Sequence, residues 1–188
     1  LRISNTEISS RGLKSIENCI GMELLDISSC CNLDDSVGKV LSNLFLLRHL
    51  NMSGCHGVPK EGFRFLNNMA LIQELNVSYT KFSEESLINL RYLSRIAKLD
   101  LSSTMIEGSG LEYVPKTRLT ELKMRRCSML QGQWYEKLSR FYELKKIDLS
   151  FNGVLQANSL EAITQLPLTS LDLSYCYSLG KGVGTHLS

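Results

Sequence analysis

One string, LxLxx followed by Cys, Thr or Asn, returns along this chain at a nearly fixed interval. It starts at Leu1 (LRISNT), Leu25 (LDISSC), Leu50 (LNMSGC), Leu75 (LNVSYT), Leu99 (LDLSST), Leu122 (LKMRRC), Ile147 (IDLSFN) and Leu171 (LDLSYC). The steps between starts are 24, 25, 25, 24, 23, 25 and 24 residues, so the repeats fill the 188 residues in register and no linker or second domain interrupts them. A unit this short cannot cover its own apolar face, and stacked copies share one continuous core.

Other columns repeat with it. Three residues before each start from the second unit on stand Met22, Leu47, Ile72, Ile96, Leu119, Leu144 and Leu168. After the polar ninth position come Ile8, Leu33, Val58, Phe82, Ile106, Leu130, Leu155 and Leu179, and eight residues further Ile16, Leu41, Leu66, Leu90, Val114, Leu138, Ile163 and Leu187. The alternation in LxL puts both apolar residues on one face of a short strand. Beyond the turn, apolar residues three or four apart, as in Leu41, Leu44 and Leu47 or Leu87, Leu90 and Leu93, predict a helical stripe. Pro59 falls at an expected first helical position, and Pro115 and Pro167 where helices should stop.

The signature LxxLxLxx(C/N), present in seven copies, resembles that of the leucine-rich repeat family. The resemblance implies an α/β leucine-rich repeat solenoid, a curved right-handed coil with a parallel sheet on its concave face and helices on its convex face. Residues 1–188 then form a single domain of about eight repeats. It also implies a non-catalytic protein–protein interaction scaffold that binds a partner on the concave face. TEISSRGL at Thr6 and CNLDD at Cys31 resemble turns of the cysteine-containing, ribonuclease-inhibitor-like subclass, often found behind F-boxes, so substrate recognition in a ubiquitin ligase is a second implied role.

The remaining chemistry is sparse. Of six cysteines, Cys30, Cys55, Cys127 and Cys176 share the ninth position with Thr6, Thr80, Thr104 and Asn152, and Cys19 sits in the helical stripe. Only Cys31 lacks a column, and no CxxC or Cys/His cluster has zinc spacing, so no metal or cofactor is expected. Six free thiols, with Cys31 pointing outward and the most reactive, fit a reducing, intracellular compartment. His49, His56 and His186 have no nucleophile arranged beside them, which points away from an enzyme. Gly180, Gly182 and Gly184 lack the Lys-Ser/Thr ending of a phosphate loop. The sequons at Asn51 and Asn76 fall on strands, as by-products of LNxS. Trp134, spaced with Leu138 and Phe141, is expected in the core. No apolar run approaches the ~20 residues of a membrane span. Lys plus Arg is 21 against Asp plus Glu 19, too even for the charge total to argue for nucleic acid. The first unit starts inside its strand and the last stops at Leu187 on a core column, which reads as an excerpt of a longer chain or part of a larger complex.

Each LxLxx should expose its middle residue and the two that follow on the concave face. The sixth unit breaks all three columns, placing Lys123, Arg125 and Arg126 where the others carry mainly Asp or Asn, Ser and a variable residue. Lys123 is expected to pair with Asp100 and Asp148 on the flanking strands. Arg125 and Arg126 have no acid in their columns. With Lys123, Lys146, Phe151, Tyr175 and Tyr79 they form the expected partner-binding set, suited to a protein partner bearing an acidic segment. Three or four basic groups would support only weak nucleic-acid binding.

Overall fold

A computed structural model describes residues 1–179; Gly180, Gly182, Gly184, His186 and Leu187, named above, lie outside the described residues. Seven strands of three residues each form one parallel sheet in sequence order: β1 (Leu24–Asp26), β2 (His49–Asn51), β3 (Glu74–Asn76), β4 (Lys98–Asp100), β5 (Glu121–Lys123), β6 (Lys146–Asp148) and β7 (Ser170–Asp172). The register aligns the repeat starts, Leu25 on Leu50, Leu75, Leu99, Leu122, Ile147 and Leu171. The first unit adds only the bridge between Arg2 and Asp26. This is the α/β leucine-rich-repeat solenoid that the repeat predicts. Its core runs the length of the stack, from Leu13 through Phe63, Phe82 and Phe141 to Ile163, and Trp134 is buried in it.

The convex side departs from expectation. Among the described residues α-helix is confined to α1 (Ser10–Leu13), α2 (Val37–Ser42) and α3 (Ala157–Thr164), while Lys14–Ile16, Lys60–Asn68, Glu84–Tyr92, Ser109–Tyr113 and Trp134–Arg140 are 3₁₀ helices. In Glu84–Tyr92 the apolar spacing suits this, because Leu87, Leu90, Leu93, Ile96 and Leu99 fall at intervals of three throughout. A 3₁₀ helix with three residues per turn keeps such a row on one face, and its ~2.0 Å rise covers the convex side with fewer residues. The Leu93 amide donates to Leu90 and Ile96 to Leu93, and the same step recurs at Leu44, Leu47, Met69, Ile72, Phe141 and Leu144. Pro59 stands one residue earlier than expected, as the extended N-cap of Lys60–Asn68. Cys19 is exposed rather than in a packed stripe.

The ninth position ties each coil to itself or to its predecessor. The Thr80 and Thr104 hydroxyls donate to Val77 and Leu101 of their own turns. Longer thiols reach back one coil, from Cys30 to Ile3, Cys55 to Ile27, Cys127 to Leu101 and Cys176 to Leu149, at 3.1–3.3 Å. The Asn152 amide does both, donating to Leu149 and Met124. These side chains are held inward, and all six cysteines are unbridged. Burial pushes the Cys55 and Cys127 thiols up to about 11.

A second tie joins the fourth and fifth coils. The Glu84 carboxylate accepts the amides of Glu107 (2.7 Å), Gly108 (3.0 Å) and Gly110 and the Ser109 hydroxyl (2.6 Å). Burial raises its pKa, but these donors together outweigh burial and hold it below the ordinary carboxylate range. Gly108 is needed there on two counts, with φ of 97° and with the site of a Cβ only 2.5 Å from Trp134 Cβ. Gly108→Ala should therefore cost about 2–4 kcal/mol, from the disfavoured φ and the overlap. Urea unfolding followed by fluorescence of the single tryptophan measures it, and a loss below ~1 kcal/mol would contradict the close packing.

The thiols give a second expectation. In native protein Cys19 and Cys31 should react promptly with a thiol reagent and the four ninth-position cysteines only on unfolding; prompt reaction of four or more would contradict the inward orientation. Because folding raises the Cys55 and Cys127 pKa from 9.0 to about 11, their contribution to stability is complete below pH 9 and is lost as pH rises through 11. Thermal unfolding at stepped alkaline pH should show that decline, and Cys127→Ser should make it shallower.

Candidate functional site

The recurring Asp or Asn in the middle of LxL, which is the last residue of every strand except β5, has a structural task. Its Oδ1 accepts the backbone amide two residues on, in Asp26–Ser28, Asn51–Ser53, Asn76–Ser78, Asp100–Ser102, Asp148–Ser150 and Asp172–Ser174, all at 2.9–3.1 Å. This Asx turn ends every such strand. It also occupies Asn51 and Asn76, the two sequon residues, which are half-buried. Lys123 has no acceptor to offer, and the Arg125 amide turns instead to Ser102 Oγ of the preceding coil at 3.2 Å. The sixth unit thus lacks the local bond that the second to fifth and the last two keep.

The strands stop at that middle residue, so the two positions after it lie on a turn at the rim and not on the concave face proper, which corrects the sequence expectation. The first of the two is a serine that is buried at Ser78, Ser102 and Ser150. The second takes positive φ in every unit. Asn5, Ser29, Tyr79, Ser103, Arg126, Phe151 and Tyr175 have φ of 53–62°, and Gly54 has 74°. Each of these amides through Phe151 donates to the next coil, Ser29 to Ser53, Tyr79 to Ser102 and Phe151 to Ser174 for example. Left-handed backbone costs a side-chain-bearing residue roughly 1–2 kcal/mol and is easiest for Gly or Asn. Tyr79, Arg126, Phe151 and Tyr175 are costly occupants of it.

Arg125, Phe151 and Tyr175 come together. The Arg125 guanidinium lies over the Phe151 ring at 4.2 Å, and Phe151 stacks on Tyr175 with centroids 4.2 Å apart and planes 25° from parallel. Tyr177, which the repeat string stops just short of, meets Tyr175 edge-on at 6.2 Å. These rings are open to solvent, with Phe151 37%, Tyr175 55% and Tyr177 81% exposed. Arg125, Arg126 and Lys146 are exposed and none forms a salt bridge among the described residues. Lys146 opens β6 on the strand face, and Tyr79 stands two coils from Arg126 with Ser103 between. Lys123 pairs with Glu121 of its own strand at 3.4 Å rather than with Asp100 or Asp148, whose Oδ1 atoms are turned to their serine amides.

The concave face proper holds a trough of about 280 Å³, lined by β1 to β5 with Arg2. Its polar groups are already matched to each other. Glu74 is 3.3 Å from His49 and 2.6 Å from Lys98, Lys123 takes Glu121, and Asp26, Asn51, Asn76 and Asp100 close their turns. Among the described residues no group of three or more His, Cys, Asp or Glu is placed to hold a metal ion, and no helix is long and apolar enough to cross a membrane.

No family model matches this chain, and no curated protein sequence does. Solved structures share its fold. An internalin from Listeria monocytogenes superposes with a TM-score of 0.67 at 20% identity, over 86% of this chain and 44% of that one. Internalin C2 from the same organism gives 0.67 at 19% identity, over 97% of this chain and 76% of that one. TLR13 in its complex with ssRNA13 gives 0.65 at 18% identity, over 92% of this chain and 24% of that one. This chain thus spans less than half the length of the first internalin and of TLR13.

The Asx turns can be tested within one column. Asp148→Ala removes acceptors for both the amide and the hydroxyl of Ser150 and should cost about 1–2 kcal/mol. Lys123→Ala removes only an exposed ion pair and should cost under ~0.5 kcal/mol. Equal losses in urea unfolding would contradict the division between structural and free positions.

Proposed function

We propose that this chain is a non-catalytic protein-interaction scaffold whose partner-binding surface is the rim beside the last four strands, built on Arg125, Arg126, Phe151 and Tyr175. Lys146, Lys123 and Tyr79 flank it, and its partner is a protein with an acidic segment. The carrying observation is that large side chains stand in strained backbone at this rim while Arg125, Arg126 and Lys146 among and beside them form no salt bridge among the described residues, Arg125 acting on Asp172 only through its charge. Every coil needs positive φ at this position, but none needs a large side chain there, and large or charged side chains that folding does not require are retained where binding uses them. In the trough, Glu74 and Glu121 are already paired with His49, Lys98 and Lys123, and a partner using those groups would have to break these ion pairs first. The cysteine-containing subclass is supported by the ninth-position thiols that bond across coils.

Tagged wild-type protein, Arg125→Glu plus Arg126→Glu, and His49→Ala plus Lys98→Ala are compared by affinity capture with partners identified by mass spectrometry. The rim variant should lose proteins that the wild type and the trough variant both retain. Equal recovery by all three, or selective loss by the trough variant, would remove the assignment of the site.

A further inference from the structure

We infer that the stack of Arg125, Phe151 and Tyr175 is a preformed carboxylate receiver, in which Phe151 and Tyr175 are positioning residues that hold the Arg125 guanidinium for two-pronged capture of a glutamate or aspartate in an extended acidic peptide. This rests on the rim being the binding surface and names what it selects.

The Arg125 guanidinium, with its Cζ 4.2 Å from the Phe151 ring centroid, donates no side-chain hydrogen bond among the described residues, and its planar fork can meet a carboxylate with two parallel bonds. Phe151 is itself clamped, by Tyr175 on its other face and by its amide on the Ser174 carbonyl at 2.8 Å. From the other side, the Arg125 amide is tied to Ser102 Oγ. The long side chain therefore gives up less freedom on binding than a free arginine would. Arg126, one residue on and exposed, supplies a second cation for a neighbouring carboxylate.

Phe151, with Arg125 over it and Tyr175 stacked on it, offers no free ring to a base, whereas Tyr177 at 81% exposure does, and the oligo-dT probe below measures whether it is used. Arg125, Arg126 and Lys146, without a salt bridge among the described residues, also make a short phosphate track.

The test is fluorescence anisotropy at ~50 mM salt, where charge contacts are weakly screened. The probes are a fluorescein-labelled glutamate octamer, the matching glutamine octamer and an oligo-dT of similar length. The glutamate peptide should bind the wild type, with the other two at least about tenfold weaker. Arg125→Lys keeps the charge but loses the fork and the stack, and should weaken binding about tenfold. Phe151→Leu should weaken it about threefold or more, and Phe151→Tyr should restore it; equal melting temperatures separate these effects from unfolding. Wild-type affinity in Arg125→Lys would overturn the receiver and leave a plain point charge. Equal binding of oligo-dT would overturn the selection of carboxylates. A glutamate octamer that does not bind the wild type would overturn this inference alone, because the rim assignment is decided by the capture experiment.

Discussion

Three-residue strands offer few hydrogen bonds, and the stack holds because the parallel ladder continues past each strand into its turn. That continuation depends on one residue per coil taking positive φ. With it, the turn closes on itself, as when the Cys30 amide reaches Ile27, while the preceding amide goes on to the next coil. The Asx acceptor fixes the entry to that turn and the ninth-position Cys, Thr or Asn fixes its exit. Burial of the leucine columns then follows from register, since each coil is placed squarely over the last.

The proposed binding surface lies where this scheme is relaxed. Most of the concave face obeys it, and there Glu74 is shared by His49 and Lys98 and Glu121 pairs with Lys123. In the sixth unit the Asx acceptor becomes Lys123 and the serine becomes Arg125, with no folding advantage visible in either replacement. The seventh and eighth units keep their Asx turns but load the strained position with Phe151 and Tyr175. Local rules broken in adjoining coils around one surface are what a binding site leaves in a repeat protein.

The period, the parallel register and the buried columns were legible because each is written seven or eight times. The helix type was not legible, since an interval of three links Leu160 and Ile163 in an α-helix while Trp134 and Leu138, four apart, share a 3₁₀ helix. The positive-φ column was hidden by its occupants. Gly54 and Asn5 are its natural residues, whereas Tyr79, Arg126 and Phe151 read as side chains on an extended strand. Lys123 misled for a related reason: Asp100 and Asp148 flank it as the register requires, but their oxygens serve the turns, and the available acid is Glu121 in the same strand. Tyr177 lies one residue past the repeat string, where no column drew attention to it. The cluster of Arg125, Phe151 and Tyr175 was found from departures in the columns, and its stacked order needed coordinates.

The central claim is that the rim, and not the trough, receives the partner. It is tested most directly by amide chemical-shift mapping of the 21.2 kDa protein as the glutamate octamer is added. The account predicts that the largest shifts gather at Arg125, Arg126, Phe151, Tyr175 and Tyr177 while His49, Glu74 and Lys98 stay in place. Shifts centred on His49, Glu74 and Lys98, with the rim unmoved, would contradict it.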